Sequence, residues 1–131
     1  MKKISIVVGS FHKSEAEIMV QSASSEIEEV GFSVGNIVWV PGAYESPLAL
    51  KREVEKNDVE AVVVLGIIER GETAHGLVMA QSVSDAILRI SLEFSKPVGM
   101  GILGPEIFPS QIPSRVSGYA KAAAKAVISM I

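Results

Sequence analysis

The chain has 131 residues, of which 48% are hydrophobic and 21% charged, so it is not a disordered protein and is long enough for a well-formed core. Its net charge of −3 gives no general attraction to nucleic acid or acidic membranes. The absence of cysteine excludes disulfides, thiolate metal sites and cysteine nucleophiles. We therefore expect a single domain over residues 1–131.

The chain shows no targeting or membrane signal. The apolar run after the first lysines, Ile4–Val8, is shorter than the roughly 7–15 apolar residues of a signal peptide. The longest uncharged stretch, residues 30–44, is interrupted by glycine and proline and does not suit a membrane-spanning helix. We expect a cytoplasmic protein. The mean hydropathy of +0.37 is high for a small monomer and favours a homo-oligomer.

The first predicted element is a buried strand over Ile4–Val8, because this run is apolar and β-branched and stops at a glycine. Residues Ser14–Glu17 have the pattern of a capping box at a helix start. Apolar residues at steps of three or four then predict a helix that runs to Val30. Gly31 suits the left-handed residue that often ends a helix.

The second strand is predicted at residues 32–40, with a kink at residues 35–36. Ser46, followed by Pro47, is typical of a helix cap and predicts a second helix that runs to about Lys56.

The third strand, at residues 59–65, has an unbroken apolar run, as expected when helices cover both faces of a sheet. A third helix and a fourth strand at residues 97–103 precede an Ala-rich helix from about residue 114. Strand followed by helix four times predicts a three-layer α/β/α sandwich with a four-stranded parallel sheet. Ligands of such folds bind outside the carboxyl ends of the strands.

The segment from Gly66 to His75 leads from the third strand into the third helix. The first amides of that helix have no partner within it, so a phosphate or carboxylate could bind there. Gly71 would allow close backbone approach and Thr73 would offer a hydroxyl, but an ordinary turn capped by Thr73 explains the pattern equally well. His75 could act as a general acid or base, although a single histidine is more often a surface residue.

Other candidates lie at strand ends or near the last helix. Glu45 could accept hydrogen bonds from ligand hydroxyls, or only complement the dipole of the helix that follows. Phe11 would offer a stacking face if exposed, but a phenylalanine usually packs in the core. Arg115 and Lys121 could hold a phosphate or remain solvated. His12 is the only other histidine, and two histidines without clustered carboxylates give a metal site little support.

Two common motifs are missing from the sequence. No G-x-G-x-x-G follows a strand, and no G-x-S-x-G is present, which removes the dinucleotide fingerprint and the serine-hydrolase elbow. The residues alone indicate a small α/β domain that binds a small anionic ligand, with one candidate acid–base histidine.

Two motifs, each placed after a predicted strand, resemble the lumazine synthase family. They are Trp39-Val40-Pro41-Gly42-Ala43-Tyr44-Glu45, and Leu65-Gly66 followed by Gly71-Glu72-Thr73-Ala74-His75. The resemblance extends from Ile4 to the last helix. The Glu-Thr-x-His form and the Gly104-Pro105 segment resemble archaeal members.

This resemblance implies a flavodoxin-like fold with strand order 2-1-3-4. It also implies a transferase of riboflavin biosynthesis that joins 5-amino-6-(D-ribitylamino)uracil to 3,4-dihydroxy-2-butanone 4-phosphate and releases phosphate. The family uses no metal and no organic cofactor. It assembles as a homopentamer, in some members as an icosahedral capsid, with sites at subunit interfaces. The partners implied are small-molecule substrates and other copies of the chain, not nucleic acid or membrane.

The resemblance further implies a role for each site residue. His75 would shuttle protons during imine formation, phosphate elimination and ring closure. Phe11 would stack on the pyrimidine ring, and the Glu45 carboxylate would accept from the ribityl hydroxyls. The ribitylaminouracil would be bordered by Phe11, Ala43, Tyr44, Glu45, Ile67, Ile68, Glu69 and Met100, and the butanone phosphate by Glu72, Thr73 and Arg115, with Gly71 and Lys121 as further candidates.

The sequence departs from the family pattern at several of these positions. Met100 stands where many bacterial members carry a phenylalanine that reaches a neighbouring subunit's site. Glu69 replaces an aliphatic residue, and we expect it to contact the ligand through its backbone. Glu72 lies close to the phosphate, so its side chain should point away. The interval from Arg115 to Lys121 is shorter than in bacterial members, and Arg115 could reach the phosphate from its own last helix or from an adjacent subunit.

Three other functions fit the same fold. An archaeal-type riboflavin synthase would use the lumazine itself as its substrate. A non-catalytic lumazine- or flavin-binding carrier would bind ligand without releasing phosphate. A purely structural shell protein would need neither Phe11 nor His75 at a strand end.

Overall fold

The computed structural model describes residues 2–71 and 73–131 of the chain. Strands and helices alternate along these residues, and short 3₁₀ turns at Ala43–Glu45 and Pro109–Gln111 interrupt two of the connections. Among the described residues, no helix has the length and apolar character needed to cross a membrane. The main elements are β1 (Lys3–Gly9), α1 (Lys13–Glu29), β2 (Ser33–Val40), α2 (Ser46–Val54), β3 (Val59–Glu69), α3 (His75–Phe94), β4 (Val98–Ile107) and α4 (Val116–Ser129).

The four strands form one parallel sheet in the order β2-β1-β3-β4, which confirms the predicted flavodoxin-like arrangement. β1 and β3 are central, so Ile6 pairs with Ile37 of β2 on one side and with Val63 of β3 on the other. The register of β2 shifts between the partners of Ile4 and Ile6. This irregularity falls at residues 35–36, where the kink was predicted.

The apolar side chains of the central strands alternate between two core layers. In β3, Val63 and Leu65 face one layer and Val62 and Val64 face the other, because successive side chains of a strand point to opposite sides. One layer is closed by α1 and α4, and the other by α2 and α3. The sheet is therefore covered on both faces, as the unbroken apolar run of β3 predicts.

Two predicted helix caps are wrong. His12, not Ser14, precedes α1: it has a left-handed backbone (φ 61°, ψ 57°), and its carbonyl accepts from the Ala16 N–H at 2.9 Å. Ser14 therefore lies inside the first turn, because the chain leaving β1 turns at His12 and enters the helix two residues early. Ser46 is the first residue of α2, because the preceding 3₁₀ turn leads directly into that helix. The left-handed Gly31 (φ 89°) follows α1 as predicted.

Two strands are longer than predicted. β3 continues past Leu65 to Glu69, and its last residues pair with β4, which itself extends to Ile107. Ile67 and Ile68 are both buried in this extension. The segment from Gly66 was predicted to be the start of a loop, since the glycine interrupts the apolar run. Backbone pairing with β4 keeps it in the sheet, and this moves the site residues onto a rigid element.

A buried carboxylate ties α2 to the irregular part of β2. Glu53 is 3% exposed and accepts hydrogen bonds from Lys56 Nζ at 2.6 Å and from Asn36 Nδ2 at 3.1 Å. Burial raises the pKa of Glu53, but the hydrogen bonds from Lys56, Asn36 and Ser5 lower it more, so its pKa lies below the ordinary value. The ionised form of Glu53 is therefore part of the folded structure.

Candidate functional site

A cavity of about 410 Å³ lies at the carboxyl end of the sheet. Its walls come from the ends of β1, β2 and β3 and from the first turns of α3, where parallel α/β folds bind ligands. Its volume is within the range of small-molecule sites. The residues that line it are Phe11, Pro41, Gly42, Ala43, Ile67, Ile68, Glu69, Gly71, Thr73, His75, Gly76 and Met79.

Phe11 forms part of the rim of this cavity. It is 56% exposed, so the alternative that it packs in the core is wrong. Its ring contacts the imidazole of His12 edge to face, with centroids 4.6 Å apart and an angle of 74° between the planes. An exposed aromatic face at a cavity can stack on a planar ligand ring.

His12 and Glu69 form a hydrogen-bonded pair beside the cavity. His12 Nε2 lies 3.0 Å from Glu69 Oε2, and the two side chains are only 23% and 31% exposed. The Glu69 side chain contacts His12, and the expected backbone contact of Glu69 with a ligand stays a prediction. Sequence reasoning missed the pair, because 57 positions separate the two residues and no local pattern connects them.

The start of α3 supplies free backbone donors. The first bond within the helix runs from the Val78 N–H to the Ala74 carbonyl at 3.0 Å, so the preceding amides of that turn have no helical acceptor. The Thr73 hydroxyl accepts from the His75 N–H at 3.3 Å, but Ala74, not Thr73, occupies the cap position of α3. The positive end of the helix dipole and these amides together favour an anion at this edge of the cavity.

His75 is the first residue of α3, and its side chain lines the cavity. Its ring lies 6.2 Å from that of Tyr44, measured between centroids, with 66° between the planes. The imidazole is exposed to the cavity and to solvent, where it can exchange protons with a ligand or with water.

Gly76 and Met79 also line the cavity and were missed as site residues. A Cβ on Gly76 would stand 3.2 Å from the Glu69 carbonyl oxygen and 3.3 Å from Ile68 Cγ2, so any side chain there would push α3 away from β3. Met79 lies in α3 and was not considered as a site residue. Its position one turn after His75 was the available signal.

Several predicted site residues lie outside the cavity lining. Tyr44 and Glu45 are exposed on the adjacent 3₁₀ turn, and the Glu45 carboxylate lies close to Gly42 at the rim. Met100 lines a separate small cavity of about 90 Å³ between β4 and α3. Arg115, which precedes α4, and Lys121 within it are exposed and do not line the cavity.

Glu72 lies outside the described residues, so the expectation that its side chain points away stays a prediction. Across residues 2–71 and 73–131, no three histidine, aspartate or glutamate side chains converge as a metal-binding group.

The fold and the cavity define a class of protein: a flavodoxin-like α/β protein whose cavity at the carboxyl edge of the sheet combines an aromatic rim, a helix start and a histidine. Residues 1–131, the whole chain, match the family model described as 6,7-dimethyl-8-ribityllumazine synthase. The chain belongs to that family.

Curated relatives agree with this assignment. The chain is 36% identical over 131 residues to a 6,7-dimethyl-8-ribityllumazine synthase from Staphylothermus marinus, covering 100% of this chain and 87% of that protein. It is 38% identical over 130 residues to the enzyme of the same name from Pyrobaculum arsenaticum, covering 99% and 87%. It is 35% identical over 128 residues to that from Metallosphaera sedula, covering 98% and 85%.

Proposed function

We propose that this chain is a transferase of riboflavin biosynthesis that makes 6,7-dimethyl-8-ribityllumazine. It joins 5-amino-6-(D-ribitylamino)uracil to 3,4-dihydroxy-2-butanone 4-phosphate and releases water and inorganic phosphate. The observation that carries the proposal is the cavity itself, in which Phe11, Thr73 and His75 meet in a chain of this family.

The ribitylaminouracil occupies the side of the cavity beneath Phe11. The ring of Phe11 stacks on the pyrimidine, and the end of β3 at Ile67 and Ile68 provides an apolar wall with backbone groups at its edge. Ala43 borders the ribityl chain. The exposed carboxylate of Glu45, beside the rim, accepts from the ribityl hydroxyls, with Tyr44 next to it.

The butanone phosphate occupies the side of the cavity at the start of α3. Its phosphate accepts hydrogen bonds from the free amides of that turn and from the Thr73 hydroxyl, with Gly71 allowing close approach. Both substrates are thereby held together, and such positioning lowers the activation barrier by several kcal/mol through effective molarity.

His75 transfers the protons that the condensation requires. It accepts a proton as the substrate amine adds to the carbonyl carbon, and it returns one to the oxygen that leaves as water. The same imidazole transfers protons during the loss of phosphate and during the closure of the ring. Positioning and proton transfer are sufficient for these steps, so we propose that no metal and no organic cofactor takes part.

A neighbouring copy of the chain completes the site. Arg115, which is exposed and outside the cavity of its own chain, neutralises the phosphate in the adjacent subunit's site, and Lys121 and Met100 also reach that site from the neighbouring copy. Exposed apolar side chains support an assembly: Leu92 on α3 is 79% exposed and Leu88 is 60% exposed. We propose a homopentamer, alone or as the unit of an icosahedral capsid.

We also propose that the single domain works in the cytoplasm. The apolar run that follows Lys2 and Lys3 is the central strand β1, and its side chains from Ile4 to Val8 are buried. Cleavage of this run as a signal peptide would therefore remove β1 from between β2 and β3.

The direct test mixes the purified protein with both substrates and follows lumazine absorbance and phosphate release against a control without protein. We expect equal amounts of the two products at an accelerated rate. A folded, oligomeric protein that gives no acceleration contradicts the proposal. So does conversion of added lumazine to riboflavin, or ligand binding without phosphate release, which are the outcomes expected of a riboflavin synthase and of a carrier.

A further inference from the structure

The hydrogen bond between His12 and Glu69 connects two walls of the cavity. His12 belongs to the three-residue connection between β1 and α1, and Glu69 is the last residue of β3. The pair therefore fixes a short surface loop to a strand that is held by backbone pairing with β4. Because both side chains are largely shielded, water competes less for this hydrogen bond than for one on the open surface.

Phe11 depends on this connection. Its ring is more than half exposed, and the contact described for it is with the His12 imidazole. A ring on a surface loop must lose conformational freedom when it stacks on a ligand, and that loss weakens binding unless the ring is already held in place. The left-handed backbone of His12 leaves its imidazole between Phe11 and Glu69, so one side chain contacts both.

We propose that His12, anchored by Glu69, is a positioning residue that holds the Phe11 ring over the cavity and so sets the affinity for the pyrimidine ring. His12 does not line the cavity, so it acts through Phe11 and not on the reacting atoms. This inference rests on the proposed function, in which Phe11 stacks on the ribitylaminouracil.

The test compares His12→Ala and Glu69→Leu with the conservative variant Glu69→Gln, whose amide can still hydrogen-bond to the imidazole. Glu55→Gln is a matched control, because it alters the exposed pair of Glu55 with Lys51, 3.8 Å apart and outside the cavity lining. The readouts are KM for each substrate, kcat, and the Kd of 6,7-dimethyl-8-ribityllumazine from its fluorescence. Circular dichroism verifies that each variant is folded. If His12→Ala does not fold, Glu69→Leu tests the same inference alone.

We expect His12→Ala and Glu69→Leu to raise the KM for the ribitylaminouracil and the Kd for lumazine by about three- to tenfold. The KM for the butanone phosphate should change far less, and every value for the Glu55→Gln control should stay within twofold of the wild type. Glu69→Gln should bind lumazine more tightly than Glu69→Leu, because its amide can still hydrogen-bond to the imidazole. Equal increases in both KM values, or unchanged lumazine binding in both disruptive variants, would overturn the inference.

A double substitution separates positioning from a general structural role. In a Phe11→Ala background, His12→Ala should cause no further loss of lumazine affinity, because the two changes remove the same contribution. If His12→Ala lowers lumazine affinity as much in this background as in the wild type, the inference is overturned. If the wild-type protein neither forms nor binds lumazine, it is the proposed function that fails. If the wild-type protein does both, and the His12 and Glu69 variants bind lumazine as tightly as the wild type, only the positioning role is refuted.

Discussion

Replacing His75 by alanine is expected to reduce kcat by about 10²-fold and to leave the protein folded. The backbone N–H of residue 75, which donates to the Thr73 hydroxyl, remains in the variant. Alanine is the best helix former, and the side chain it replaces is exposed. The change in the free energy of unfolding should therefore stay within about 0.5 kcal/mol.

The size of the expected kcat effect follows from what surrounds the imidazole. A positioned general acid–base group contributes roughly 10²- to 10⁴-fold, or about 2.7 to 5.5 kcal/mol. The upper part of this range requires a partner that fixes the ring. Within the described residues, the contact of the His75 ring is the Tyr44 ring at 6.2 Å, and no carboxylate forms an ion pair with it. The lower end is therefore expected.

The assay measures kcat by lumazine absorbance at saturating concentrations of both substrates, with Lys51→Ala as an exposed control on α2. Free imidazole added to the His75→Ala variant should restore part of the rate, because the exposed position leaves room for it. A kcat within threefold of the wild type would refute the proton-transfer role. A rate equal to that without protein would refute the view that positioning supplies the remaining acceleration.

Three other changes test separate parts of the structure. Arg115→Ala should raise the KM for the butanone phosphate at least tenfold and change the KM for the other substrate little, since in the proposed site it removes a charge-assisted contact to phosphate. Steady-state kinetics in which each substrate is varied in turn tests this. Gly76→Val should reduce lumazine affinity, measured by fluorescence titration, because its side chain would press on the Glu69 carbonyl and on Ile68. Glu53→Gln should lower the free energy of unfolding in urea by about 1–2 kcal/mol at pH 7. Because the folded pKa of Glu53 is below its ordinary value of 4.5, its contribution is full above that value and is lost as pH falls through the folded pKa, so the difference should shrink in acid.

The sheet could be predicted from the sequence because its signals are local. The apolar runs of β1 and β3 and the alternation of strand and helix lead directly to a parallel sheet covered on both faces. The helix starts were less predictable. A serine in the right place predicts a cap only if the preceding loop has ordinary geometry, and the left-handed His12 moved the start of α1 ahead of Ser14.

The candidate site was predictable where it follows a motif along the chain. Thr73 and His75 lie at the helix start where the strand-to-helix transition put them, and Phe11 is exposed at a strand end. The pairing of His12 with Glu69 depends on how β1 and β3 lie side by side, a relation that appears only when the chain is folded. The location of Arg115 relative to the cavity likewise depends on tertiary structure.

The separation of Arg115 from the cavity of its own chain has a consequence for mixed assemblies. The described residues that line the cavity lie between positions 11 and 79, whereas Arg115 belongs to the last quarter of the chain. If each site draws these two parts from adjacent copies, a His75→Ala chain and an Arg115→Ala chain carry complementary defects. Dissociated and reassembled together in equal amounts, they should form about one quarter of their sites from two intact contributions. Two poorly active preparations would then give a mixture more active than either one alone.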